Sequence, residues 1–143
     1  MGERVLFHGG QGSRLARVMA AGAELCVTVT LVDGLVLARS AFHHSMNYRS
    51  VVLFGQAVEI TDPAEKAAAF AALIEKLSPG RYASVRPPTD KELGATKLLA
   101  LPLAEGGAKM RSGPPVDDEA DMSWPVWAGV VPVTMVKGEP VAG

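Results

Sequence analysis

The order of apolar and polar positions along the chain predicts strands joined by turns, with a few short helices between them. Residues 4–8 (RVLFH) form a short strand candidate that breaks at Gly9-Gly10-Gln11-Gly12. Leu15, Val18 and Met19 then recur at i, i+3 and i+4. This predicts a helix over residues 13–21, with Ser13 as N-cap and Gly22 as left-handed stop. Over residues 25–31 the pattern becomes alternation: Leu25, Val27, Val29 and Leu31 share one face, Cys26, Thr28 and Thr30 the other. Asp33-Gly34 is a hairpin signal, so residues 35–39 are expected to return antiparallel. Residues 48–61 read as one long strand in which Gly55 marks a bulge or bend.

Asp62-Pro63 opens a longer helix, the aspartate as N-cap and the proline in the first turn. Phe70, Leu73, Ile74 and Leu77 form its apolar stripe, which leaves Glu65, Lys66, Glu75 and Lys76 for water, and Pro79-Gly80 closes it. Thr89 with Glu92 spells a capping box for a second short helix. Residues 98–103 and 108–111 read as strands around a Gly106-Gly107 turn, residues 126–136 as the last strand, and residues 137–143 as a flexible tail. Hairpin-linked strands with few helices favour a mainly β, antiparallel α+β or barrel architecture over alternating βαβ units.

Composition narrows the class. The 143 residues suit one domain, read as residues 1–136, and a content of 48% hydrophobic and 20% charged residues is that of a globular chain. Fourteen basic against fifteen acidic side chains leave a net charge of -1, without general attraction for nucleic acid or an anionic membrane. Cys26 is the single cysteine, there is no signal-peptide pattern, and no apolar run approaches the roughly 20 residues of a membrane span. A cytoplasmic protein is the expectation.

The most informative local feature is the turn His8-Gly9-Gly10-Gln11-Gly12-Ser13-Arg14. Amides at a helix start are unpaired and partly positive, so an anion is favoured there. Arg14 and Arg17 carry the wrong sign for that end of the helix dipole, a conflict that a bound phosphate would remove. The glycines let the backbone approach an anion, and Ser13 places a hydroxyl beside the Arg14 guanidinium. A tight turn carrying a solvated arginine satisfies the same residues. A Walker A loop is excluded because Gly-Ser-Arg stands where Gly-Lys-Ser/Thr is required, and Leu15 replaces the third glycine of a dinucleotide fingerprint.

Other candidates are weaker. His43-His44 are adjacent, point apart in an extended chain and cannot readily grip one ion, so no metal site is expected. One of the pair is read as solvent-facing, the other as structural or as reaching a ligand cavity. Lys109 and Arg111, two apart on a strand, project to one face as a second anion-binding pair or a solvated surface. Trp124 and Trp127 flank Pro125 and are read as packing or stacking groups. Cys26 lacks visible activation and is read as packing, and the acidic run Asp117-Asp118-Glu119, with Asp121, as a solvated loop.

The run from VLFHGGQGSRLARVMAAGAELCVTVTLVDGLVLARSAFHHSMNYRSVVLFGQAVEITDPAEKAAAF to AKMRSGPPVDDEADMSWPVWAGVVPV resembles the pyridoxamine 5'-phosphate oxidase-like flavin-binding split barrels, particularly the branch of nitroimidazole-resistance proteins. The resemblance implies an FMN-binding split β-barrel, a homodimer with flavin at the subunit interface, and an oxidoreductase passing a hydride or electrons to a small-molecule acceptor. It places the flavin phosphate at Gly12, Ser13 and Arg14, brings His8 close to the flavin, puts Arg49 or Ser50 beside the cofactor, and lets Trp127 stack on the ring edge. For Arg49 the alternative is an exposed cation on a sheet. Members of the family normally open with a helix and two strands before the strand matching residues 4–8, so the chain reads as amino-terminally short. It also ends in VVPVTMVKGEPVAG rather than a basic, histidine-containing substrate motif, which argues against the vitamin chemistry itself. Two rival readings stay open: a flavin store or sensor without turnover, and a split barrel holding haem or a deazaflavin, with His8, His43 and His44 as the available haem ligands.

Overall fold

The computed structural model describes residues 3–143, which divide into two compact units. The first takes residues up to Val27 together with Leu53–Gly106, the second Thr28–Val52 with Gly107–Gly143. Seven strands and three α-helices follow in the order β1 (Arg4–Gly10), α1 (Arg14–Ala20), β2 (Glu24–Leu37), β3 (Ser45–Gln56), β4 (Val58–Ile60), α2 (Pro63–Leu77), α3 (Asp90–Gly94), β5 (Thr96–Pro102), β6 (Glu105–Arg111) and β7 (Gly129–Pro132).

In the first unit, β5 lies between β1 and β4 and pairs antiparallel with both, Phe7 opposite Leu99 and Glu59 likewise opposite Leu99 across the other edge. Leu98, Leu99, Ala100 and Leu101 are all buried, so β5 is covered on both faces. Alternation sends Leu99 toward Ala16, Met19 and Ala57, and Leu98 and Ala100 toward Ile60 and Ala69. Helix α1 therefore closes one face of the sheet and α2 the other.

Each helix start follows its cap. Ser13 Oγ accepts from Ala16 N, Asp62 from Glu65 N, and Thr89 and Glu92 complete a reciprocal capping box. Gly22 adopts φ 81° after α1, as expected of the left-handed stop. The buried face of α1 is Ala16 and Met19, one position round from the expected stripe, and Leu15 and Val18 stay exposed. In α2 the difference is larger. Lys66, assigned to water by the stripe, is buried, and its Nζ donates to the carbonyls of Leu93 at 3.2 Å and Thr96 at 2.8 Å. These oxygens sit where α3 ends and β5 begins, so the ammonium satisfies carbonyls that the helix cannot, at the negative end of its dipole.

The four-stranded sheet has the order β6-β3-β2-β7. The expected hairpin at Asp33-Gly34 does not form: β2 runs straight through both residues. Gly34 serves close approach instead, since a Cβ there would stand 2.8 Å from Val130 Cγ1 on β7. The long strand expected over residues 48–61 is cut at Ala57 into β3 and β4, with Gly55 at φ 136° just before the break. The turn between β5 and β6 falls at Leu103-Ala104, and Gly106 and Gly107 lie inside β6. The last strand, expected over residues 126–136, is limited to Gly129–Pro132, with one further bond from Val133 N to Asp33 O at 3.0 Å.

Candidate functional site

In the first unit the glycine turn is pinned from below and open above. Gln11 donates from its backbone to Ala95 O at 2.9 Å and from its side chain to Gly94 O at 2.9 Å, which ties the turn to the end of α3. Ser13 N donates to Gly10 O at 2.9 Å. A Cβ added at Gly10 or Gly12 would meet nothing within 4 Å, so the space over the turn is free. Ser13 Oγ accepts from Ala16 N at 3.3 Å, and its own O–H remains available to donate. Arg14 is exposed and has no hydrogen bond or ion pair among the described residues, and no acidic side chain lies in the first turn of α1. The seat is electropositive and its cation uncommitted.

His8 lies at the rim of two clefts that run along β1. One, about 420 Å³, lies between β1 and α2; the other, about 290 Å³, lies between β1 and α1 and is also lined by Ser13. The His8 ring meets Phe70 edge-on, centroids 5.9 Å apart. His8 thus turns its ring to the α2 face of the sheet, while the Gly12-Ser13-Arg14 turn opens α1 on the other face.

The remaining candidates lie in the second unit. Arg49 grips both carboxylate oxygens of Asp33, at 2.9 and 2.8 Å, and these hydrogen bonds hold the Asp33 carboxyl below its ordinary range. Ser50 Oγ meets Thr30 Oγ1 at 2.8 Å instead, as neighbours on a strand must find different partners. Arg111 donates to Asn47 Oδ1 at 2.7 Å and reaches Pro114 O at 3.4 Å, while Asn47 donates to Gly113 O at 3.0 Å. Arg111 therefore braces the segment that leaves β6, whereas Lys109 is exposed and without a partner among the described residues. The indole of Trp127 is 65% exposed and lies over Gly129, where a Cβ would come within 2.6 Å of Cζ2.

Sequence reading did not foresee what surrounds the paired histidines. His44 Nδ1 donates to Ser40 O at 3.0 Å, which leaves Nε2 as the ring nitrogen without a partner among the described residues. His43 Nε2 lies 3.3 Å from Asp118 Oδ2, a contact across 75 residues that no local pattern announces. Asp117 beside it is buried against Arg39, accepting from the Arg39 backbone N at 2.7 Å and from its guanidinium at 2.9 Å.

The fold has close counterparts. A family model described as pyridoxamine 5'-phosphate oxidase matches residues 1–110. The flavocytochrome Anf3 of Azotobacter vinelandii is 41% identical with a TM-score of 0.91, and all of this chain covers 66% of that one. The FAD and haem binding protein of Mycobacterium smegmatis is 40% identical with a TM-score of 0.93, again over 100% of this chain and 70% of the other. The chain thus spans about two thirds of the length of these relatives. A protein of Bacteroides thetaiotaomicron assigned to 5-nitroimidazole antibiotic resistance shares the fold at 18% identity and a TM-score of 0.59, over 76% of this chain and 61% of that one. No curated protein matches the sequence. Among the described residues no helix is long and apolar enough to cross a membrane. The match over residues 1–110 and the antiparallel sheets with their three helices place this chain in the pyridoxamine 5'-phosphate oxidase family, with its flavin-binding split-barrel fold.

Proposed function

We propose that the chain is a flavin-dependent redox protein whose flavin phosphate rests on the Gly12-Ser13-Arg14 turn. The observation that carries the reading is the open, electropositive turn with an uncommitted Arg14 in a first helical turn free of acidic side chains. Backbone amides, the Ser13 O–H and the Arg14 guanidinium are the donors a phosphate needs. FMN and FAD share that phosphate. FAD is favoured over the FMN expected from sequence, because the relative 40% identical over this whole chain binds FAD. When bound, the flavin supplies hydride or electron transfer to a small acceptor. In the first unit the Gly12-Ser13-Arg14 turn holds the phosphate; in the second, Lys109 and, once released from Asp33, Arg49 are cations open to a flavin. Trp127 offers an exposed indole face for the ring edge.

Two copies complete the site in this reading. Val29 and Leu31 on β2, 57% and 42% exposed, and Val51 on β3, 40% exposed, present apolar side chains that a second copy would cover. A haem beside the flavin is the second reading, favoured by His44. With Nδ1 held by the Ser40 carbonyl, Nε2 of His44 is the ring nitrogen that would hold a haem iron.

The test is the visible spectrum of the freshly purified protein, with the released cofactor identified by mass. A flavin band with FAD in the released fraction supports the main reading, and FMN would correct its form. A Soret band lost on His44→Ala supports the haem. A colourless protein that takes up neither added flavin overturns the proposal. Flavin retained without reductase activity across donors and acceptors would make it a store or sensor.

A further inference from the structure

We propose that the turn Ala41–His43 and the loop at residues 117–121 form a binding site for one divalent cation of the zinc class. The ligands are the imidazole of His43 and the carboxylates of Asp118 and Asp121. One ligand atom from each of the three lies within 4.8 Å of the others, and His43 Nε2 and Asp118 Oδ2 are already 3.3 Å apart. Ligands about 2.1 Å from a tetrahedral ion stand roughly 3.4 Å from one another, so Asp121 has at most about 1.4 Å to close, within the reach of a side-chain rotation. One nitrogen with two carboxylate oxygens suits zinc, and three protein ligands leave a further position for water.

The surroundings hold these groups in place for a purpose other than local structure. Asp118 occupies the N-cap position of the 3-10 turn Glu119–Asp121, yet its side chain makes no capping bond. Ser13, Ser40, Asp62 and Thr89 all cap the elements they precede. The Asp118 carboxylate turns toward His43 instead. Asp121 has no side-chain partner among the described residues and is only partly exposed, so two like charges stand together near one imidazole. The base of the loop is fixed by the buried Asp117–Arg39 pair, and His43 is fixed by Ser40, whose carbonyl accepts from His43 N at 3.2 Å and whose Oγ accepts from Phe42 N at 3.2 Å. Both halves of the site are therefore held independently of the ion.

Calorimetric titration of the chelator-stripped 143-residue chain with Zn²⁺ tests this. The expected result is one ion per chain, with affinity lowered at least about tenfold by His43→Gln and by Asp121→Asn, since each removes one of three ligands. Glu119→Gln, one residue away and equally acidic, keeps the wild-type affinity. Zinc also raises the melting temperature of the wild type and leaves the His43→Gln, Asp121→Asn double variant unmoved, a readout that does not depend on the single variants folding well. Equal zinc uptake by wild type and double variant overturns the site. So does a loss on Glu119→Gln as large as that on Asp121→Asn, which would mean diffuse acidic attraction.

Discussion

Arg49 meets Asp33 through two hydrogen bonds, Nε to Oδ2 at 2.9 Å and a terminal nitrogen to Oδ1 at 2.8 Å, so this cation is already engaged before any ligand arrives. A carboxylate that shares a guanidinium competes with any phosphate or flavin oxygen for it. Asp33→Asn is therefore expected to tighten flavin binding several-fold, and Arg49→Ala to weaken it. Titration of the apoprotein at fixed ionic strength, followed by quenching of flavin fluorescence, reads both. If neither substitution moves the affinity, Arg49 has no part in the site.

Arg14 has no such competitor. Its replacement by Ala removes a charge-assisted contact of about 1.5–3 kcal/mol, which corresponds to a flavin affinity lower by roughly ten- to a hundredfold. Arg14→Lys, a point charge without the fork, recovers part of that. An unchanged dissociation constant in Arg14→Ala would move the phosphate to another seat while leaving the family assignment intact.

Lys66 is the hinge between α2 and the α3–β5 junction. Lys66→Met keeps the stem and deletes the donor, which removes the ammonium from the Leu93 carbonyl, shared with the Ala95 amide, and from the half-buried Thr96 carbonyl. The expected loss is about 1–3 kcal/mol of unfolding free energy, measured by urea denaturation. A variant as stable as the parent would show that water satisfies both carbonyls.

Glu92 ties a pH effect to one helix start. Its hydrogen bonds with Arg86, followed by those from the Thr89 amide and hydroxyl, lower its carboxyl from an ordinary 4.5 to about 2. A carboxyl depressed in the folded state stabilises above its ordinary value, and that contribution is lost as pH falls through the folded value. The melting temperature of Glu92→Gln should therefore lie below that of the parent at neutral pH. The gap should narrow from pH 4.5 downward and close near pH 2. A gap that stays constant across that range would detach the effect from ionisation.

What was legible in the sequence was what is decided locally. Ser13, Asp62 and the Thr89–Glu92 box were readable because a cap involves residues three apart, and Gly22 because only a left-handed stop needs glycine after that helix. Asp33-Gly34 misled because the same glycine can serve a turn or a close approach, and only the position of Val130 decides which. Lys66 misled because its partners are backbone carbonyls 27 and 30 residues away, invisible to a helical-wheel pattern. Of the candidate site, the glycine turn before α1 was legible as a turn, and a Cβ at Gly10 or Gly12 would meet nothing within 4 Å. The engagement of Arg49 by Asp33 and of Arg111 by Asn47 was not, since cross-strand partners depend on register. The meeting of His43 with the acidic loop lay further still beyond local reading.

Strand β5, covered on both faces, is also a matter of timing. β1, α1, β4 and α2 all precede it in the chain, yet the surface on which they bury their apolar faces is made of Leu98 to Leu101. During synthesis those earlier segments leave the ribosome before the strand that unites them exists, so they stay open to chaperones and proteases until it emerges. Proteolysis of stalled nascent chains should show α1 and α2 becoming resistant together, and only after β5 has cleared the exit tunnel.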